Sequence, residues 1–196
     1  MNIAIIKYNA GNIYSVDYAL KRLGVVATVT DDGETIRTAD KVLFPGQGEA
    51  SSTMAYLQRH GLDTLIRNLT QPVLGICIGM QLLCRHSDEG DTPCLGVFDA
   101  DVKRFVAQAK SDKIPHIGWN TLSSVREGFI PKNLENEYVY FVHSYYVPLT
   151  EQTVAATDYI LPFSSALQKD NFYATQFHPE KSGDVGEKIL KSFLDL

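Results

Sequence analysis

A cysteine set between two glycines, Gly75-Ile76-Cys77-Ile78-Gly79, follows an apolar run and precedes a helix-compatible one. That is the spacing of a nucleophile elbow, with a thiol in the place of a hydroxyl. A sharp strand-to-helix turn strains the nucleophile's backbone, and flanking residues without a Cβ let neighbouring chain pass close by. The thiol is then expected at the carboxyl edge of a sheet, where a helix N-terminus favours the thiolate. For this motif alone, a buried structural cysteine packed between glycines is the alternative. The block Gln176-Phe177-His178-Pro179-Glu180 favours the nucleophile. In an extended strand residues i and i+2 face the same way, and Pro179 biases His178 toward β geometry, so imidazole and carboxylate project together. One ring nitrogen can face Cys77 while the other donates to Glu180, giving a triad suited to acyl transfer.

Other features carry less chemistry on their own. Pro45-Gly46-Gln47-Gly48 stands just past an apolar run, where a glycine-rich loop could aim a backbone N–H at an oxyanion beside that of Ile78. A dinucleotide-binding loop is excluded as Gly-x-Gly-x-x-Gly, because Ser51 occupies the third glycine position, and a plain turn stays open. Cys84 and Cys94 read as packing residues. His60, His86, His116 and His143 have no metal-ligand spacing and read as surface or satisfied core histidines, so neither metal nor cofactor is expected.

The elements that must position these groups follow from periodicity. Residues 3–6, 42–44 and 73–76 are continuous apolar runs, as in strands covered on both faces, and 25–29 reads as another strand. Val16, Ala19, Leu20 and Leu23, stopped by Gly24, mark a helix, as do Leu62, Leu65, Ile66 and Leu69. Alternating strands and helices predict an α/β fold with a mostly parallel central sheet flanked by helices. Beyond residue 95 short β-rich runs at 102–106, 121–125, 138–142, 153–157 and 166–168 predict an added β-rich region. Lys169-Asp170-Asn171 reads as a hairpin turn into 172–177, and Val185, Ile189 and Phe193 close the chain as a helix. With no linker or repeat, residues 1–196 are expected to form a single domain.

Composition bounds the rest. The 196 residues carry 18 basic and 23 acidic side chains, a net charge of −5. Without a basic patch, nucleic acid and anionic membrane are poor partners. The longest uncharged apolar stretch, residues 72–80, is too short to span a bilayer, and no secretory signal is evident, so a cytoplasmic location is expected.

Read together, Pro45-Gly46-Gln47-Gly48, Gly75-Ile76-Cys77-Ile78-Gly79-Met80-Gln81 and Phe177-His178-Pro179-Glu180 resemble the class I (triad) glutamine amidotransferases. More narrowly, Tyr8-Asn9-Ala10-Gly11-Asn12 with Ser15, Pro115-His116-Ile117-Gly118-Trp119-Asn120, Tyr140-Phe141-Val142-His143-Ser144-Tyr145 and Lys181-Ser182 resemble the glutaminase subunits of imidazole glycerol phosphate synthases. The resemblance implies a flavodoxin-like fold and a triad of Cys77, His178 and Glu180. It places the oxyanion hole at Gly46, Gln47, Gly48 and Ile78, and glutamine binding at Gln81, Glu89, His143, Ser144 and Tyr145. It also implies a (βα)8 barrel cyclase partner that receives ammonia in histidine biosynthesis, facing Asn12, Trp119, Asn120, Tyr138 and Lys181. Core packing is the alternative for the aromatics. Gln47 and Glu49 depart from the apolar residues more usual there. A free-standing cysteine hydrolase acting on an ester or lactone, and a degenerate binding subunit, are the competing readings.

Overall fold

A computed structural model describes residues 1–8 and 13–196, so Asn12 lies outside the described residues. In chain order the elements of the first half are β1 (Ile3–Ile6), α1 (Ile13–Arg22), β2 (Ala27–Thr30), α2 (Gly33–Thr38), β3 (Lys41–Phe44), α3 (Ala50–Arg59), α4 (Leu62–Arg67), β4 (Val73–Ile76) and α5 (Ile78–Leu83). They continue with β5 (His86–Ser87), β6 (Thr92–Pro93), β7 (Asp101–Arg104), β8 (His116–Thr121), β9 (Tyr138–His143) and β10 (Tyr145–Tyr146). The last are β11 (Thr153–Asp158), β12 (Pro162–Lys169), β13 (Phe172–Thr175) and α6 (Gly183–Leu194).

The central sheet has the order β11-β12-β13-β4-β3-β1-β2. Its five strands from β13 to β2 are parallel, and β12 and β11 extend it antiparallel. Successive side chains of a strand face opposite ways, and here both faces are covered. Ile3 and Ile5 join one core with α1 and α6, while Ala4 and Ile6 join another with α2, α3, α4 and α5. That explains the unbroken apolar runs in β1, β3 and β4, all fully buried. Smaller sheets, β10-β7-β5-β6 and the β8-β9 pair, pack beside it.

The parallel sheet and the added β-rich second half were both legible; several boundaries were not. The expected strand at 121–125 is instead the end of β8, which starts at His116, followed by irregular chain. Ser124 sits at φ 50 and only Ser123 keeps a bridge, to Ala156, because a positive φ interrupts an extended ladder. Within the β-rich second half, β11, β12 and β13 complete the central sheet, and the remaining strands form the two smaller sheets with β5 and β6. The turn at 169–171 does join β12 to β13, with Asp170 at φ 51. Helix α2 buries a single apolar residue, Ile36, and α3 only the sparse stripe Ala50, Met54 and Leu57. They are declared by their caps, Asp32 accepting from Thr35 N at 2.8 Å, and Glu49 accepting from Ser51 N and Ser52 N.

Candidate active site

Cys77 lies between β4 and α5 at φ 55, ψ −107, a conformation that costs an L-residue energy and is retained where the surroundings over-determine it. Its N–H donates to Thr175 O at 2.7 Å, an extension of the β4–β13 pairing. The glycines act by close approach. A Cβ on Gly79 would lie 1.9 Å from the Phe44 carbonyl oxygen, so only glycine lets α5 sit against the end of β3.

Because β13 runs parallel beside β4, the residues after it arrive next to Cys77. His178 is fully buried; its N–H donates to Tyr140 O at 2.9 Å, and its Nδ1 contacts Glu180 Oε1 at 2.7 Å. Burial alone would lower its basicity, but the Cys77 and Glu180 charges outweigh this and push it up to about 10. Nε2 has no other hydrogen-bond partner within normal limits among the described residues and faces the Cys77 thiol, whose charge and hydrogen bonding both favour the protonated ring. The imidazole–carboxylate pair was expected from an extended strand. It forms differently: Pro179–Lys181 is a single 3-10 turn, in which Pro179 starts the turn and swings Glu180 back under His178. Ser182 secures the turn, donating to His178 O at 2.7 Å and accepting from Tyr140 N at 3.0 Å.

A cleft of about 350 Å³ opens over the thiol, lined by Gln47, Gly48, Cys77, Ile78, Gln81, Glu89, Pro115, Val142, His143, Ser144 and Tyr145. All five residues assigned to glutamine binding by resemblance therefore meet there. Gln81 spends its amide hydrogens on Tyr145 O at 3.1 Å and Gln176 Oε1 at 3.0 Å, which leaves Oε1 as the group able to meet a ligand ammonium. Glu89 is half-buried, and burial raises its carboxyl against the opposing pull of its hydrogen bond from Ala50 N at 2.8 Å. Gly46 lies beneath the loop instead of on the cleft wall; a Cβ there would collide with the Tyr8 hydroxyl. That hydroxyl donates to Pro45 O at 2.6 Å and fixes the loop's start. Glu49, the departure noted in the sequence, is explained by its capping of α3.

The residues assigned to a partner surface separate into groups. Trp119 and Tyr138, with Ile117, are more than half exposed on the β8–β9 pair. Asn120 is turned inward, donating to Asp158 O at 2.9 Å. Lys181 is half-buried in the turn after His178.

Tyr8, Gln176 and Ser182 were missed as site residues, although Gln176 and Ser182 flank the triad motif in sequence. The pair His116 and His143 proves to be a satisfied core pair: His143 Nδ1 donates to Tyr145 O at 2.7 Å, so its Nε2 accepts from His116 Nδ1 at 3.1 Å. Burial depresses both, His116 to about 4 and His143 to about 3. An unfolded histidine titrates near 6.5, so between that pH and about 3 to 4 the unfolded chain binds more protons than the folded one. The pair's contribution to stability is therefore complete above about pH 6.5 and lost as the pH drops toward 4, so stability is expected to fall over that range. Urea midpoints measured across pH 7 to 4 check this; a flat profile would contradict neutral burial of the pair.

The class-I glutamine amidotransferase family model matches residues 4–196. The chain is 63% identical over 196 residues, covering all of both chains, to imidazole glycerol phosphate synthase subunit HisH of Bacteroides thetaiotaomicron. It is 45% identical to the protein of that name from Idiomarina loihiensis, covering 100% of this chain and 98% of the relative. Among solved structures, a glutamine amidotransferase superposes with a TM-score of 0.73 at 20% identity, covering 98% of this chain and 97% of that one. PurLQS from Thermotoga maritima superposes at 0.72 and 15% identity, covering 99% and 97%. At such identities the structural likeness speaks for the fold alone.

Proposed function

The chain belongs to the class-I glutamine amidotransferases, among relatives named imidazole glycerol phosphate synthase subunit HisH, and we propose that its site hydrolyses glutamine and hands the ammonia to a cyclase subunit. The observation that carries this reading is the strained Cys77 at the carboxyl end of β4, held beside the buried His178–Glu180 pair at the floor of the cleft.

Each step follows from the groups present. The Cys77 thiolate attacks the side-chain amide carbon of glutamine, and the carbonyl oxygen takes up the negative charge. Backbone N–H groups of Ile78 and of Gln47 and Gly48, which line the cleft, receive that charge; fixed donors of this kind supply the largest share of such catalysis. The charged imidazole of His178 gives its proton to the departing nitrogen, so ammonia leaves and a glutamyl thioester remains. Water, deprotonated by the now neutral His178, hydrolyses the thioester to glutamate and restores the thiol. Glu180 keeps the ring's tautomer and orientation throughout. Gln81 Oε1 and the Glu89 carboxylate suit the substrate ammonium, and backbone groups of His143, Ser144 and Tyr145 line the same wall.

The partner we propose is a (βα)8 barrel cyclase, which uses the ammonia to make imidazole glycerol phosphate and aminoimidazole carboxamide ribotide in histidine biosynthesis. The exposed apolar face of β8–β9, Ile117, Trp119 and Tyr138, supports a docking surface. A water-free passage keeps ammonia unprotonated and therefore nucleophilic. Among the described residues no helix is long and apolar enough to cross a membrane, and we place the enzyme in the cytoplasm as one amidotransferase domain over 1–196. The test is glutamate release by the purified chain, alone and with the cyclase carrying its nucleotide ligand. Turnover is expected to rise at least tenfold on adding the loaded partner. Full activity alone would favour an unregulated amidase.

A further inference from the structure

We propose that Gln176 is a further catalytic residue: its side-chain amide donates an N–H to the sulfur of Cys77 and stabilises the thiolate, in an orientation imposed by a chain of hydrogen bonds that cannot be reversed. This deepens the reading of Cys77 as the nucleophile of glutamine hydrolysis and rests on it.

Gln176 follows β13, is completely buried, and is fixed by its backbone N–H, which donates to Ser165 O at 2.8 Å. Its Nε2 lies 3.7 Å from Cys77 Sγ, and its Oε1 accepts from Gln81 Nε2 at 3.0 Å. An isolated amide could point either way. Here the direction is settled at the far end of the chain. The Tyr145 carbonyl can only accept, and it receives both Gln81 Nε2 at 3.1 Å and His143 Nδ1 at 2.7 Å. Gln81 must therefore turn its amino group toward Gln176, and Gln176 must answer with its oxygen. That leaves the Gln176 amino group facing the sulfur. A flipped Gln176 would set two amino groups against each other and its oxygen against the sulfur. His143 is itself locked by His116, whose Nε2 contacts Asn120 Nδ2 at 3.5 Å.

A donor matters more to a thiolate than to a thiol, because a hydrogen bond to an ionised acceptor is about twice as strong as one to a neutral acceptor. The bond therefore lowers the energy of the reactive form selectively. The thiol's other contact is to Val142 O at 3.9 Å, which can only accept and so offers nothing to a thiolate. The other titratable groups around Cys77 are His178 and Glu180 in the segment after β13, Tyr8 after β1, His143 on β9, and Glu89 and Tyr145 on the cleft wall. All are unchanged in a Gln176 variant, so a difference from the parent protein reports the amide.

The test is the pH dependence of Cys77 alkylation by iodoacetamide in the full chain, read by peptide mass spectrometry so that Cys84 and Cys94 are scored apart. In Gln176→Leu the half-maximal pH is expected to rise by about one unit, and the rate at pH 7 to fall roughly tenfold. Gln176→Glu keeps the acceptor for Gln81 but places an oxygen at the sulfur, and its shift should be larger. Folded variants with the parent profile would overturn the proposal. If neither variant folds, the parent protein decides. The Gln176 side-chain amide resonances should move as Cys77 titrates, and this movement should vanish in Cys77→Ala; resonances indifferent to that titration would also overturn it. Absence of glutaminase activity in the partner-loaded parent, with the alkylation shift intact, would instead reject the glutamine reading and leave the donor assignment standing.

Discussion

Cys77→Ala should abolish glutamine hydrolysis, with kcat falling roughly 10⁴-fold or more, while the cyclase still binds. A drop of that size corresponds to about 5.4 kcal/mol of lost transition-state stabilisation. No neighbouring group can substitute. Cys84 is buried and burial raises its thiol beyond any useful range, while Cys94 is pushed up to about 12 by burial and the nearby Glu89 charge. Alanine keeps the Cβ, so the strained backbone at φ 55 is retained and the cleft keeps its shape. The exposed residues of β8–β9 are on other elements, and the complex should form with unchanged affinity. Glutamate release and binding titration together check this. Retained turnover would exclude Cys77 as the nucleophile.

Gly79→Ala should produce a large loss of stability from a single methyl group beside the site. The new Cβ would lie 1.9 Å from Phe44 O and 3.0 Å from Phe44 C, both backbone atoms that no rotamer change can move. Relief requires α5 and the end of β3 to separate, which also displaces Cys77 before α5 and the loop 45–48 after β3. Overpacking of this kind costs about 3 kcal/mol. For a chain of this length that lowers the melting temperature by roughly 6–12 °C. Activity should fall with it, since both walls of the oxyanion site shift. Gly33→Ala is the contrast: a Cβ there meets Leu65 at an ordinary 3.6 Å at the start of α2, so thermal denaturation should show no loss. Equal melting temperatures for the parent and Gly79→Ala would refute the close-approach argument.

The placement of Cys77, His178 and Glu180 together was legible because it depends on residue types that leave marks. Glycines on both sides of a cysteine have a steric cause, and His-Pro-Glu has a short-range one, although the turn that joins His178 to Glu180 is a 3-10 turn and not a strand. The parallel sheet was legible because strands buried on both faces cannot alternate. Gln176 was not recognised because its role depends on Gln81, 95 residues away, and on a carbonyl of Tyr145, neither adjacent to it in sequence. Tyr8 escaped for the same reason: its partner is a backbone oxygen at Pro45. Helix α3 was overlooked because its start signal is an acidic side chain, Glu49, read there as an irregularity in a loop. What a side chain donates to distant main chain leaves no period in the sequence.

The position of β13 bears on when this molecule becomes reactive. It is the last strand along the chain yet sits inside the seven-stranded sheet, between β12 and β4. A growing or refolding chain can assemble β1 to β4 and expose Cys77, but the acid–base half of the site comes only with the insertion of residues 172–180 into the gap. Pairing over such sequence distances is slow, because the intervening loop must be ordered before any contact rewards it. The nucleophile is thus kept without its base during synthesis. On the proposed function, ammonia release would be confined to chains whose sheet has already closed, so that closing the sheet also arms the site.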